Sequence, residues 1–323
     1  MAELSHHTTQ TNGINMHYVE AGSGPLVLLC HGFPESWYSW RHQIHALADA
    51  GYRVVAPDQR GYGETDAPEP IEAYTVFHLV GDVVGLVKSL GEDTAVIVGH
   101  DWGSPVAWNS ALLRPDLFRA VVSLSVPTGP RGPVAPMQGA AQLFGDRFFY
   151  QLYFQTPGVA EHELRNDVAR TMRKMLVGAS GAAPRSDAFF GLNTAPPATS
   201  FMLENMPDPG DELPNWLTPA DLAFFVAAFE KTGFRGGLNW YRNIDRTWEL
   251  SGALQDMKIQ QPALFVAGDR DVVPFNKDSE AVMRTMVPNL RDAIVLPGVG
   301  HWTQQEAPEA VNEALISFLA SLQ

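Results

Sequence analysis

The residue with the clearest chemical potential is Asp101, in Gly99-His100-Asp101-Trp102-Gly103. A short apolar run, Ala95–Val98, leads into these five residues and a helical segment, Ser104–Leu113, leads out. Strand, tight turn and helix is the arrangement of a nucleophile elbow of the form G-x-S-x-G, here with aspartate in the serine position. A carboxylate is already ionised at neutral pH and needs no base to act as a nucleophile. Its natural target is an sp3 carbon bearing a leaving group, and its product is an alkyl ester. Hydrolysing that ester requires a histidine to activate water, an acid to orient the histidine, and N–H donors for the oxyanion. The competing reading of Asp101 is a simple helix N-cap.

Each partner has a candidate. His301 lies in Gly298-Val299-Gly300-His301-Trp302, after the apolar run Ala293–Leu296. The chain has 10 histidines, and the glycine-rich loop and the order after nucleophile and acid single this one out. The acid is Asp269 or Asp271, in Gly268-Asp269-Arg270-Asp271 after Ala263–Ala267; spacing does not separate them. For the oxyanion, the N–H of Trp102 follows the nucleophile. A second donor is expected in His31-Gly32-Phe33-Pro34, where Pro34 has no N–H and Phe33 is preferred. His31 and the turn Asp58–Gly63 are expected to be structural.

The elements that must carry these residues follow from periodicity. Leu26–Cys30, Arg53–Ala56, Ala95–Val98, Val121–Leu124, Ala263–Ala267 and Ala293–Leu296 are short apolar runs suited to parallel strands buried on both faces. Between them, Trp37, Trp40, Ile44 and Leu47 recur at helical spacing, as do Leu79, Val83, Leu86 and Leu90, and Val311, Leu315, Phe318 and Leu322. Asn15–Glu20 alternates as one arm of an antiparallel edge hairpin. The alternation stops between about Thr128 and Trp248. Helices are expected there over Met137–Phe154, Ala160–Val177, Pro219–Lys231 and Phe234–Trp248, with an irregular excursion from Gly178 to Pro219. The expected organisation is an α/β core in two parts, residues 1–127 and 249–323, interrupted by a helical cap at 128–248.

These motifs resemble the α/β-hydrolase fold, and within it the soluble epoxide hydrolases. The likeness spans nearly the whole chain, from HGFPESWYSW (His31–Trp40) through DQRGYG (Asp58–Gly63), GHDWG and GDRD to GHW (Gly300–Trp302). Most of these motifs are shared with haloalkane dehalogenases. YQLYFQTPGVAE (Tyr150–Glu161) and LNWYRN (Leu238–Asn243) resemble the cap signatures of epoxide hydrolases of the mammalian type. The resemblance implies Asp271 as the acid and two cap tyrosines, Tyr150 and Tyr241, that activate the epoxide oxygen. It implies hydrolase activity alone, without the phosphatase domain of the mammalian proteins. A phenol of pKa near ~10 can donate a hydrogen bond, then a proton, to the alkoxide of an opening epoxide. Tyr150 and Tyr153 are three residues apart and could share a helix face; packing is the usual fate of such tyrosines.

The expected activity is therefore hydrolysis of an epoxide to a vicinal diol through an Asp101 ester. A haloalkane dehalogenase would use the same nucleophile, but needs a second halide donor that no motif supplies. An esterase would need serine or cysteine at 101, and a non-catalytic binding protein would commonly lack a triad member. The substrate is expected to be small and apolar, met by Phe33, Pro34, Trp102, Phe154 and Trp302, with water as co-substrate and no cofactor or metal. With 22 Lys and Arg against 36 Asp and Glu, the net charge of −14 argues against nucleic acid and anionic membrane as partners. The one cysteine, Cys30, permits no internal disulfide and excludes a multi-cysteine metal site. The polar Met1–Gln10 stretch has no signal-like apolar region, so a cytoplasmic protein is the expectation, and a homodimer is compatible with it.

Overall fold

The computed structural model describes residues 3–183, 195–206, 208–210 and 212–322. Among these, eight strands form one sheet in the order β1-β2-β4-β3-β5-β6-β7-β8. They are β1 (Ser5–Thr11), β2 (Ile14–Ala21), β3 (Leu26–Cys30), β4 (Arg53–Pro57), β5 (Ala95–His100), β6 (Phe118–Leu124), β7 (Ala263–Gly268) and β8 (Leu290–Leu296). β2 pairs antiparallel with both β1 and β4, and every pairing from β4 to β8 is parallel. This is the α/β-hydrolase type of sheet.

Alternate residues of the central strands feed two separate cores. Leu26, Leu28, Ile97, Val121 and Phe265 pack with the helices Val76–Ser89 and Gly103–Leu113 on one face. Val27, Leu29, Val96, Val98 and Val266 pack with Arg41–Asp49 and Pro308–Ala320 on the other. Period-two side-chain alternation therefore makes the three-layer structure, and uninterrupted apolar runs are what strands covered on both sides require. Ala293–Leu296 departs from that expectation. It belongs to β8, which pairs only with β7 at the sheet edge, and Val295 is 45% exposed.

Between β6 and β7 the described chain is helical. The expected long helices are divided by local backbone chemistry. Pro136–Phe144 ends at Gly145, whose φ of +59° suits a residue without a Cβ, and Tyr150–Tyr153 follows. Val159–Asn166 stops where Asp167 leaves helical geometry. The Asp167 side chain then accepts from the N–H of Arg170 at 2.9 Å and caps Val168–Gly178. Pro219–Thr232 begins with a Thr218–Asp221 capping box, and Phe234–Trp248 divides into Arg235–Arg242 and Ile244–Leu250. Part of the Gly178–Pro219 excursion lies outside the described residues; the described part includes the short helix Met202–Asn205.

The helical insertion shares the core of the sheet. Phe154, Met172, Leu176, Phe229 and Trp240 belong to the buried cluster that includes Leu28 and Ile97. Polar ties fix the contact: the Trp240 indole donates to Arg60 O at 3.1 Å, and Arg41 meets Asp221 at 3.1 Å. Gly236 lies against the Gly61 backbone so closely that a Cβ would collide with it. The helix carrying Tyr241 is thereby laid directly over the core. No helix among the described residues is long and apolar enough to cross a membrane.

Backbone also approaches closely at the end of β5. A Cβ on Gly99 would strike the backbone of Gly103, and one on Gly103 would strike the carbonyl of Cys30. Backbone atoms of a strand or a helix start cannot yield as a flexible side chain can. Gly103→Ala is therefore expected to destabilise the fold by about 1–3 kcal/mol. Gly252→Ala, where the added Cβ meets nothing within 4 Å, should change stability by no more than about 0.5 kcal/mol. Urea midpoints of the two variants check the difference.

Candidate active site

The parallel strands deliver the chemistry to one edge. The C-terminal ends of β3, β5, β7 and β8 lead into the Phe33 loop, the Asp101 elbow, the Asp271 loop and the His301 loop. α/β sheets place their sites at this edge. Asp101 has φ +50°, in the left-handed region that aspartate tolerates better than most residues. The conformation lifts the carboxylate off the sheet.

Both carboxylate oxygens of Asp101 have partners. The backbone N–H of Phe33 donates to Oδ1 at 2.6 Å. Oδ2 faces His301 Nε2 at 3.4 Å, too long for a strong bond. Oδ1 thus already occupies a donor site, while Oδ2 has only the longer contact with His301. Trp102, the next residue, stands at the start of Gly103–Leu113.

The two aspartates after β7 are separated by their surroundings. Asp271 is buried and its Oδ1 meets His301 Nδ1 at 2.9 Å. Asp269 is exposed and its Oδ1 accepts from Gly298 N–H at 2.7 Å, bracing the loop ahead of the histidine. Burial opposes charge on Asp271, yet His301, the Ser125 hydroxyl and the Val273 N–H hold its carboxyl below the usual range. Burial also opposes charge on His301. There, Asp271 and then Asp101 prevail, and the imidazole is raised well above its ordinary 6.5.

Tyr150 and Tyr241 come from different helices and meet edge to face with ring centroids 6.0 Å apart. Burial, with the charge of Asp101 adding to it, raises both phenols: Tyr150 to about 12 and Tyr241 well above 10. Both stay protonated and able to donate at neutral pH. The Gln151 amide donates to the Tyr150 hydroxyl at 3.0 Å. Tyr153 turns elsewhere and donates to Glu163 at 2.8 Å.

A cavity of about 80 Å³ is lined by Asp101, His301, Tyr150 and Tyr241 together with Phe33, Pro34, Phe154 and Trp302. Methionines 175, 202 and 206, with Val272 and Val273, complete its apolar wall. Trp102 does not line it. Its ring packs on Tyr241 at 5.0 Å and faces a larger cleft of about 360 Å³, where none of the four chemical groups is present. The small cavity, holding the reactive groups, is the candidate site. Burial alone keeps the Cys30 thiol protonated, within the core.

Two features escaped the motif reading. Glu35 and His100 form a buried pair at 2.7 Å, and Ser125 touches both Asp271 and His301. Glu35 stands inside the HGFPES run and His100 beside Asp101. A charged residue within an apolar loop, next to a histidine at a strand end, was the available signal. Ser125 carried none.

The chain matches the family described as alpha/beta hydrolase fold over residues 25–308. It is 46% identical over 316 residues to Epoxide hydrolase A of Mycobacterium tuberculosis, covering 97% of this chain and 96% of that protein. The crystal structure of Epoxide Hydrolase A from Mycobacterium thermoresistibile superposes with a TM-score of 0.93 at 48% identity, covering 99% of each chain. An epoxide hydrolase from an endophytic Streptomyces gives 0.94 at 46% identity, covering 99% of this chain and 96% of that one.

The electrostatics carry a direct consequence. Asp101 is one of two carboxylates that raise the His301 pKa, so removing its charge should lower that pKa. In an NMR titration, the imidazole of Asp101→Asn is expected to release its proton at lower pH than that of the parent protein. An unchanged or higher value would show that Asp101 does not sense His301.

Proposed function

Since the chain belongs to the epoxide hydrolases of the α/β-hydrolase fold, and so converts an epoxide and water to a vicinal diol, we propose how its own residues divide the reaction. Asp101 Oδ2 attacks an oxirane carbon. Tyr150 and Tyr241 donate to the epoxide oxygen as the C–O bond breaks, and one of them gives it a proton. The product of this step is an ester between Asp101 and the substrate's carbon skeleton.

The second step reverses the demand on His301. Esterification removes the Asp101 charge, which lowers the tendency of His301 to hold a proton, and that proton passes to the tyrosinate directly or through water. Neutral His301 then takes a proton from water through Nε2, while Asp271 stabilises the imidazolium that forms. The hydroxide attacks Cγ of the ester. Its oxyanion develops on Oδ1, where the Phe33 N–H already stands and where the Trp102 N–H is the second donor. Collapse, with the proton of the added hydroxyl passing to the leaving oxygen, releases the diol and restores the carboxylate, and His301 is left charged as in the free enzyme.

The observation that carries this reading is that one cavity gathers all the groups. The nucleophile, oriented by an N–H on one oxygen, and two phenols with raised pKa values line it together. The aromatic, proline, methionine and valine wall favours an apolar epoxide. Residues 128–248 serve as the cap, because they supply both phenols and, with Phe154, Ala179 and the three methionines, half of that wall.

His301→Gln should alkylate but fail to hydrolyse. After exposure to styrene oxide, the variant is expected to gain one substrate mass on a peptide containing Asp101, with turnover reduced by about 10²-fold or more. A variant that forms diol at the parent rate, or carries no adduct on that peptide, contradicts the scheme.

A further inference from the structure

Ser125 stands immediately after β6 and is fully buried. Its φ is +73°, and the N–H of Val126 bonds back to Leu124 O at 2.9 Å, closing a three-residue turn. Turns of that kind are rare and strained, and a residue other than glycine is uncommon there. Ser125 N–H meanwhile continues the β6–β7 ladder by donating to Val266 O at 2.9 Å. The chain holds a side chain where glycine would be less strained. Such an outlier directs attention to what the side chain does.

The hydroxyl reaches two groups at once. Its oxygen is 2.6 Å from Asp271 Oδ2 and 2.9 Å from His301 Nδ1. An ionised carboxylate only accepts, so the single hydroxyl proton goes to Oδ2. The lone pairs of Oγ then face Nδ1, which is also 2.9 Å from Asp271 Oδ1. Nδ1 therefore has two acceptors before it and must carry the hydrogen. In the neutral imidazole this leaves Nε2 bare, and Nε2 is the nitrogen turned toward Asp101.

We infer that Ser125 is a positioning residue for the hydrolytic half-reaction: its hydroxyl locks the Asp271 carboxylate against rotation and fixes His301 in the tautomer that can take a proton from water. Asp271 meets His301 through one oxygen only. Without the anchor on the other oxygen, only Oδ1 is held, by His301 and the Val273 N–H, so the carboxylate plane is less fixed and the imidazole loses one of the two acceptors at Nδ1. Alkylation, which uses Asp101 and the phenols, does not depend on this lock. The inference rests on the assignment of His301 as the base and Asp271 as its partner.

The test compares Ser125→Ala, which keeps the strain and loses the hydroxyl, with Ser125→Gly, which loses both. Quenched single turnovers of the full chain with styrene oxide, read by intact mass, give alkylation and hydrolysis rates separately. Loss of a hydrogen bond to a charged group should slow hydrolysis by about tenfold or more in both variants, with the ester accumulating. Alkylation should stay within about twofold of the parent rate, which also reports a folded site. Asparagine tolerates positive φ and offers an N–H, so Ser125→Asn should recover part of the loss. Three results overturn the inference: hydrolysis at the parent rate in both variants, slow hydrolysis in the alanine variant alone, or equal loss in both half-reactions. The first denies the hydroxyl a role, the second assigns the effect to backbone strain, and the third makes it general damage. Failure of the base assignment shows separately, as absence of ester in His301→Gln, and removes this inference with it.

Discussion

A buried carboxylate–imidazole pair, Glu35 and His100, is the joint on which three loops of the site meet. His100 precedes Asp101 at the end of β5. Its Nδ1 faces Glu35 Oε2 at 2.7 Å and its Nε2 faces the carbonyl of His301 at 2.6 Å. Glu35 Oε2 also accepts from Gly32 N–H, at the foot of the Phe33 loop, and Oε1 accepts from Gln304. Burial would favour the neutral acid, yet His100 and its neighbours hold the Glu35 carboxyl at about 2. The Phe33 loop, Asp101 and the His301 loop, to which the proposed scheme gives oxyanion donor, nucleophile and base, are thus fixed to one another through two side chains with no solvent exposure. Removing His100 would leave the Glu35 carboxylate charged and buried without that partner, and loss of such a partner typically costs about 3–5 kcal/mol. That cost makes the relative position of the three loops a property of the fold rather than of the substrate.

The cap is fastened to the same assembly. His301 N–H donates to Ala179 O, and the Trp302 indole donates to Leu176 O at 2.6 Å. Glu306 accepts from Gly181, Gly300 and Trp302 N–H groups, joining the end of the Val168–Gly178 helix to the histidine loop. Tyr150 and Tyr241 on the helical insertion are thereby held at a fixed reach from Asp101, the nucleophile of the proposed scheme. Low polarity then sets the proton inventory. It keeps both tyrosines as donors, while two carboxylates keep the free-enzyme histidine charged until the ester forms.

The fold class was legible because buried parallel strands leave continuous apolar runs and helices leave a 3.6-residue pattern. β8 was misread because apolar content does not distinguish an edge strand from a central one. The long cap helices were drawn without their breaks, which depend on single residues such as Gly145 and Asp167. Within the site, residue types and order reached Asp101 and His301, but separating Asp269 from Asp271 needed burial and direction. Tyr150 and Tyr153 share a short helix, and only three-dimensional packing turns one to the cavity and the other to Glu163. Ser125 was invisible in sequence, since an isolated serine after a strand has no periodicity or motif to mark it. The Glu35–His100 pair was present in quoted motifs yet given no role, because its meaning is a contact across 65 residues.

The central claim is that the first oxygen transferred to substrate comes from Asp101, held by the Phe33 N–H with its second oxygen aimed at the epoxide carbon. A single turnover in ¹⁸O-labelled water, with enzyme in excess over styrene oxide, tests this directly. The account predicts an unlabelled diol and one ¹⁸O in the Asp101 carboxylate, read by peptide mass. Label in the first-turnover diol, with none at Asp101, would mean that water attacks the epoxide itself and would contradict the account.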